Sequence, residues 1–161
     1  RIHLPILLKI LTFDRNFKNK VGDEIVIGII YQRKFNTSLN AKNNFVDELN
    51  KSGLTKLEGL DVKFTTINID TTDLETALLS EKIDVFYVTP LRAKGIEEIK
   101  NKSRKYHIIT MSGVEEYIKF GLTVGVGIKG NKPQILINLD AAKLENIDFS
   151  SQLLKLAQIY Y

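Results

Sequence analysis

The chain has 161 residues, 43% of them apolar and 26% charged, which suits one globular unit and excludes a disordered tail or a low-complexity stalk. It has no Cys and only His3 and His107, which rules out a disulfide scaffold, a thiolate or His-rich metal site and a cysteine nucleophile. Its 23 basic and 19 acidic residues leave a net charge of +4, scattered without a run of five like charges, so nothing in it points to nucleic acid.

The segment Leu4 to Phe13 reads as a helix. Pro5 suits a first turn, and Leu4, Leu7, Leu8 and Leu11 recur on one face. It is far too short to cross a bilayer, and no other stretch is long enough, so the chain is not expected to span a membrane. Glu24 to Tyr31 is β-branched and almost continuously apolar, as a strand covered on both faces is. Ser38 to Ser52 is a polar helix with Leu39, Phe45, Val46 and Leu49 facing in, closed by Gly53. Leu60 to Ile69 alternates and reads as a strand nearer an edge.

Thr71 or Thr72 is the expected cap of a short helix, Asp73 to Glu81. Asp84 to Val88 is a second buried strand. Thr89-Pro90 reads as a cap and first-turn proline opening a helix from Leu91 to Lys105. His107 to Met111 is a strand, Val114 to Phe120 a short helix, and 122–128 and 134–139 two strands of an antiparallel hairpin. Asp140 to Leu144 is a helical turn, and Ser150 to Tyr161 a closing helix. The pattern predicts a single α/β domain over residues 1–161. Its mixed sheet is flanked by helices, parallel in its first part, with a C-terminal antiparallel hairpin.

No assembled chemistry stands out. Gln32 to Ser38 follows the first strand without the glycines of a phosphate-binding loop. Gly125-Val126-Gly127 lies inside a strand and reads as a bulge or a close contact with the terminal helix. Ser112 lacks a nucleophile elbow. Glu115 and Glu116 are adjacent on a helix and diverge by about 100°. Asp70 reads as a turn residue. No cofactor, metal or catalytic set is expected.

The C-terminal third carries a recognisable pattern. Ile137-Asn138-Leu139-Asp140-Ala141-Ala142-Lys143-Leu144 is followed by Ile147-Asp148-Phe149-Ser150-Ser151-Gln152-Leu153-Leu154-Lys155-Leu156-Ala157. A strand ending in Ile-Asn, an Ala-Ala pair and Ser-Ser-x-Leu-Leu-x-Leu-Ala resemble the close of the YfiR-like family, as do the preceding hairpin and a first helix ending near Phe13. Physically, the alanines admit a helix close to the sheet, Ser150 caps the last helix, and the leucines pack it.

The resemblance implies a non-enzymatic periplasmic regulator of a Gram-negative cell, the secretion signal being absent from this chain. It would bind the periplasmic part of a membrane-anchored signalling enzyme, typically a diguanylate cyclase, and repress it. The chain departs from the family in having no cysteines, which excludes a redox switch. It also lacks the Trp-Pro usual after the first helix, a departure that admits a different partner, a histidine kinase or another receptor. Candidate partner-binding residues are Lys9, Asp14 and Arg15 at the first helix, with Arg33 and Phe35 after the first strand, where open α/β sheets bind ligands. Asp14 and Arg15 also read as a local charge pair. The terminal tyrosines are compatible with a homodimer. A second reading is a small-molecule sensor with Asp70, Thr89 and Ser112 lining a polar pocket.

Overall fold

A computed structural model describes residues 4–92 and 95–161. The long apolar run becomes β1 (Glu24–Tyr31), buried along nearly its whole length at the centre of an eight-stranded sheet. The other strands are β2 (Lys56–Leu57), β3 (Leu60–Asn68), β4 (Val85–Val88), β5 (Ile109–Ser112), β6 (Val124–Lys129), β7 (Lys132–Asn138) and β8 (Gln158–Tyr160). Their order is β2-β3-β1-β4-β5-β6-β7-β8. Pairing is parallel from β3 through β6 and again between β7 and β8. It is antiparallel in β2–β3 and β6–β7. The parallel strands are crossed by helices on both faces, which is why β1 and β4 must be apolar on both sides.

One face is covered by α1 (Leu4–Leu11) and α3 (Asn36–Lys51), with α7 (Leu139–Leu144) and α8 (Ser151–Leu154). Leu7, Leu11, Ile27, Phe45, Tyr87, Met111, Val124, Ile137 and Leu153 share that core. The other face is covered by α4 (Leu74–Ser80), α5 (Ile96–Tyr106) and α6 (Glu115–Lys119) around Val26, Ile30, Phe86, Val88 and Leu136. A side chain at Gly28 would start 2.8 Å from Ile83, and one at Gly125 2.7 Å from Ile118. Gly125 therefore serves close packing against α6 rather than against a terminal helix.

Four expectations are corrected. Residues 150–161 do not form one helix: α8 ends after a single turn, and Gln158-Ile159-Tyr160 pairs in parallel with β7. The free edge of β7 offers hydrogen bonds that a short β-prone segment takes more profitably than a helix end would. The hairpin is consequently internal to the sheet. Asp73, not a threonine, caps α4, accepting from the Thr76 backbone at 3.0 Å. The helix expected from Leu91 begins at Ile96, because Gly95 takes φ 115°, which no right-handed helix contains; ahead of it Leu91 donates to Tyr117 Oη and Arg92 to Gln32 Oε1. Residues 93–94 of that expectation lie outside the described residues. His107 ends α5 in the left-handed region, φ 55°, and does not open a strand. A short helix missed by periodicity, α2 (Phe17–Lys20), follows α1.

Candidate functional site

The strand order reverses between β1 and β4, and open α/β sheets bind ligands in the crevice beyond the C-terminal ends of the strands at such a switch point. Arg33 and Phe35 lie there, as expected, Arg33 exposed and Phe35 half-buried. The Arg92 guanidinium stacks over the Phe35 ring at 4.7 Å. Arg33 and Arg92 therefore give this rim two cations and an aromatic face, a combination suited to an acidic or planar group.

Beneath the rim the polar groups satisfy one another. Gln32 donates from Nε2 to Asp70 Oδ1 at 3.0 Å and accepts from the Arg92 amide. Ser38 Oγ accepts from the Gln32 amide at 2.8 Å and lies 2.7 Å from Thr89 Oγ1, which also donates to the Ile30 carbonyl. Ser112 Oγ donates to the Val88 carbonyl at 2.7 Å. The pocket expected from Asp70, Thr89 and Ser112 is thus corrected. Thr89 and Ser112 are buried ties between strand ends, and Asp70 braces Gln32. A shallow polar hollow of about 310 Å³ lies beside them, lined by residues 69–74 and Glu98.

Asp14 and Arg15 play a different part. Asp14 is 5% exposed, and its Oδ1 accepts from the amides of Asn16 and Asp148, both at 2.9 Å. Lys20 Nζ approaches its other oxygen at 2.8 Å. Arg15 donates its amide to the Asp148 carbonyl and pairs with the Asp148 carboxylate at 3.4 Å on the surface. The residues expected to pair locally instead form a clasp across 134 positions of chain, tying the end of α1 to the segment between α7 and α8. Both carboxylate oxygens of Asp14 thus face groups of its own chain, and the side chain is withdrawn from the surface.

Lys9 is exposed on α1 and borders an apolar groove of about 370 Å³. Ile6, Ile10 and Phe13 of the first helical segment form one wall; Ile135 of β7, with Leu153 and Leu156, forms the other. Leu156 was expected to pack and is 67% exposed, because the chain leaves the helical register after Leu154 on its way into β8. The five candidates thus occupy three settings: the crevice, the clasp and the groove.

Two further acids, Glu145 buried and Asp84 half-buried, were not legible in the sequence. Glu145 is fully buried and receives hydrogen bonds from Ser103 Oγ, Thr110 Oγ1, Thr110 N and Thr123 Oγ1, at 2.6–3.1 Å. Burial pushes its carboxyl above the ordinary range, against the pull of those donors. Asp84 accepts from the Val26 amide at 2.9 Å at the opposite end of β4 from the crevice, and burial raises it to about 6. Their donors come from distant segments: only the hydroxyls of Ser103, Thr110 and Thr123 could have signalled Glu145, and Asp84 is held by a backbone amide that leaves no mark in the sequence. Among the described residues no group of three or more His, Asp or Glu is placed to hold a metal ion. No helix among them is long and apolar enough to cross a membrane.

A helix-flanked, mostly parallel sheet with a crevice at its switch point is the fold of α/β substrate-binding-like proteins, and solved structures share it. A conserved domain protein from Vibrio cholerae aligns over 99% of this chain with a TM-score of 0.66 and 16% identity. An ABC domain in complex with L-Trp from Streptococcus pneumonia aligns over 96% with a TM-score of 0.64 and 14% identity. The ligand-free, open form of a substrate-binding protein with adhesive properties from Clostridium difficile aligns over 89% with a TM-score of 0.60 and 17% identity. The chain spans 59%, 59% and 57% of those three structures respectively. At such identities the likeness is one of fold.

The chain belongs to the YfiR/HmsC-like family, which matches residues 2–158. This is a regulatory family rather than a known family of enzymes. None of the curated proteins matches the chain.

Proposed function

We propose that this protein is a non-enzymatic periplasmic regulator that binds the periplasmic part of a membrane-anchored signalling enzyme, a diguanylate cyclase or similar, and holds it inactive. The family match across nearly the whole chain carries this reading. The mechanism is differential binding: the regulator prefers the inactive conformation of its partner, and a tenfold change in activity needs only about 1.4 kcal/mol of preference. Arg33 and Phe35 at the crevice rim, with Arg92, form one contact surface, and Lys9 marks another. Asp14 and Arg15 support the second indirectly by fixing the end of α1. The chain acts as one domain.

The test is capture from detergent-solubilised membranes of the source cell with this chain as bait, followed by assay of the captured enzyme. The expected result is a membrane protein with a periplasmic domain, whose activity falls on adding the chain and recovers with Arg33→Glu. Reproducible failure to retain any such protein would overturn the reading.

A small-molecule sensor is the second reading, favoured by the likeness to a structure holding L-Trp and to a substrate-binding protein. It places the ligand on the exposed crevice rim of Arg33, Phe35 and Arg92 rather than on Thr89 and Ser112. A thermal-shift screen checks it: a ligand of that rim raises Tm in the wild type and not in Phe35→Ala.

A further inference from the structure

The β6–β7 hairpin carries one apolar face that its helices cover only in part. Val124 and Ile137 are paired across the strands and fully buried, Val126 and Ile135 are half-buried, and Ile128 and Pro133 are exposed, Ile128 at 74%. The strip runs out of the core and continues into the groove between α1, β7 and α8, where Leu156 is exposed. The segments that build this surface, α1, β6, β7 and residues 151–160, contain Lys9 and Lys155, with Lys129 and Lys132 paired at the hairpin tip on the opposite strand face, and no carboxylate. All four lysines are exposed, and none is in an ion pair among the described residues. Asp14 and Asp148, the carboxylates flanking α1 and α8, are engaged in the clasp. An apolar trough with an uncompensated basic border is a surface lacking both its hydrophobic cover and its counter-charge.

We propose that this groove receives an amphipathic, acidic-flanked helix of a protein partner. Its apolar ridge packs on Ile10, Phe13, Ile135 and Leu156, and its carboxylates face Lys9 and Lys155. This deepens the regulator reading and rests on it. The shape favours a helix: a ridge of i, i+3, i+4, i+7 side chains fills a trough walled by α1 on one side and α8 on the other. A second copy of this chain would set lysines against lysines. A lipid surface would meet the rim without entering the trough.

The experiment selects from a displayed library of random helical peptides against the folded chain, then measures the selected peptides by fluorescence anisotropy. Selected sequences should repeat apolar residues at helical spacing with Glu or Asp beside them. They should bind at least tenfold more weakly to Leu156→Asp and to Lys9→Glu, and replacing their acids with Lys should restore binding to Lys9→Glu. Peptides without acidic flanks, or equal binding to wild type and Leu156→Asp, overturn the proposal. So does self-association in sedimentation that Leu156→Asp abolishes, or Leu156-dependent binding to phosphatidylglycerol vesicles in place of peptide. Failure here is separable from failure of the regulator reading. Leu156→Asp that still captures and represses the membrane enzyme removes the groove and leaves the regulator. Acidic-peptide binding without any membrane partner does the reverse.

Discussion

The clasp and the groove lie next to each other on the first helical segment and use charge in opposite ways. At the clasp, a buried carboxylate is held within the chain, by two amides on one oxygen and the Lys20 ammonium beside the other. A few residues earlier, Lys9 stands exposed beside apolar surface with no carboxylate on the segments around it. Internally satisfied polar groups fix how elements dock, whereas uncompensated charge beside uncovered apolar surface is what a partner can use. The crevice combines the two, with a closed network of Gln32, Ser38, Asp70 and Thr89 below and an open rim of Arg33, Phe35 and Arg92 above.

The sharpest way to break this comparison is to alter each region and measure stability. Asp14→Ala should cost about 3 kcal/mol in urea denaturation, since it strands two amides and a partly buried ammonium. Leu156→Asp should stay within about 0.5 kcal/mol of wild type, as substitutions of exposed residues do. Equal losses would mean that the groove is core and not interface.

Two acids withdrawn from water, one half-buried and one fully buried, sharpen the same point through pH. Asp84 and Glu145 both titrate above their ordinary values in the folded chain. Each therefore contributes stability that is complete below its unfolded pKa and lost as pH rises through the folded one. For Asp84 that window runs from 3.8 to about 6. Asp84→Asn should flatten the fall in Tm across it, and Glu145→Gln should remove a fall that begins near the ordinary Glu value. An unchanged Tm–pH slope in both variants would contradict the burial assigned to them.

Smaller effects separate the crevice floor from its rim. Gln32→Ala should lose about 1–2 kcal/mol, because it unpairs the Arg92 amide and Asp70. Arg33→Ala should leave stability unchanged while weakening partner capture. At the clasp, a small effect belongs to Arg15→Ala. Its surface pair with Asp148 is worth under about 1 kcal/mol, and its backbone bond to the Asp148 carbonyl survives the substitution. A loss at Arg15 as large as that at Asp14 would show that the clasp depends on the surface pair.

Most of the architecture was legible because burial writes itself into local pattern. The run from Ile25 to Tyr31 must be a strand covered on both faces, and Leu4, Leu7, Leu8 and Leu11 must share one helix face. The two strands around Lys129–Lys132 must be antiparallel, since so few residues join them. The placement of Arg33 and Phe35 beyond β1 followed from the parallel sheet alone. What failed was decided by partners far away in the chain. Local sequence favoured a helix at 150–161 until the open edge of β7 offered Gln158 to Tyr160 its hydrogen bonds, and that diversion left Leu156 in solvent. Thr89 and Pro90 had the form of a helix start, but Ile30, Ser38, Gln32 and Tyr117 had taken the groups such a start would use. Asp14 read as a surface charge until Asp148, 134 residues on, supplied the amide that buries it. Periodicity reports which face of an element is covered. Only the assembled sheet determines which polar groups meet, because their partners are set by strand order rather than by spacing along the chain.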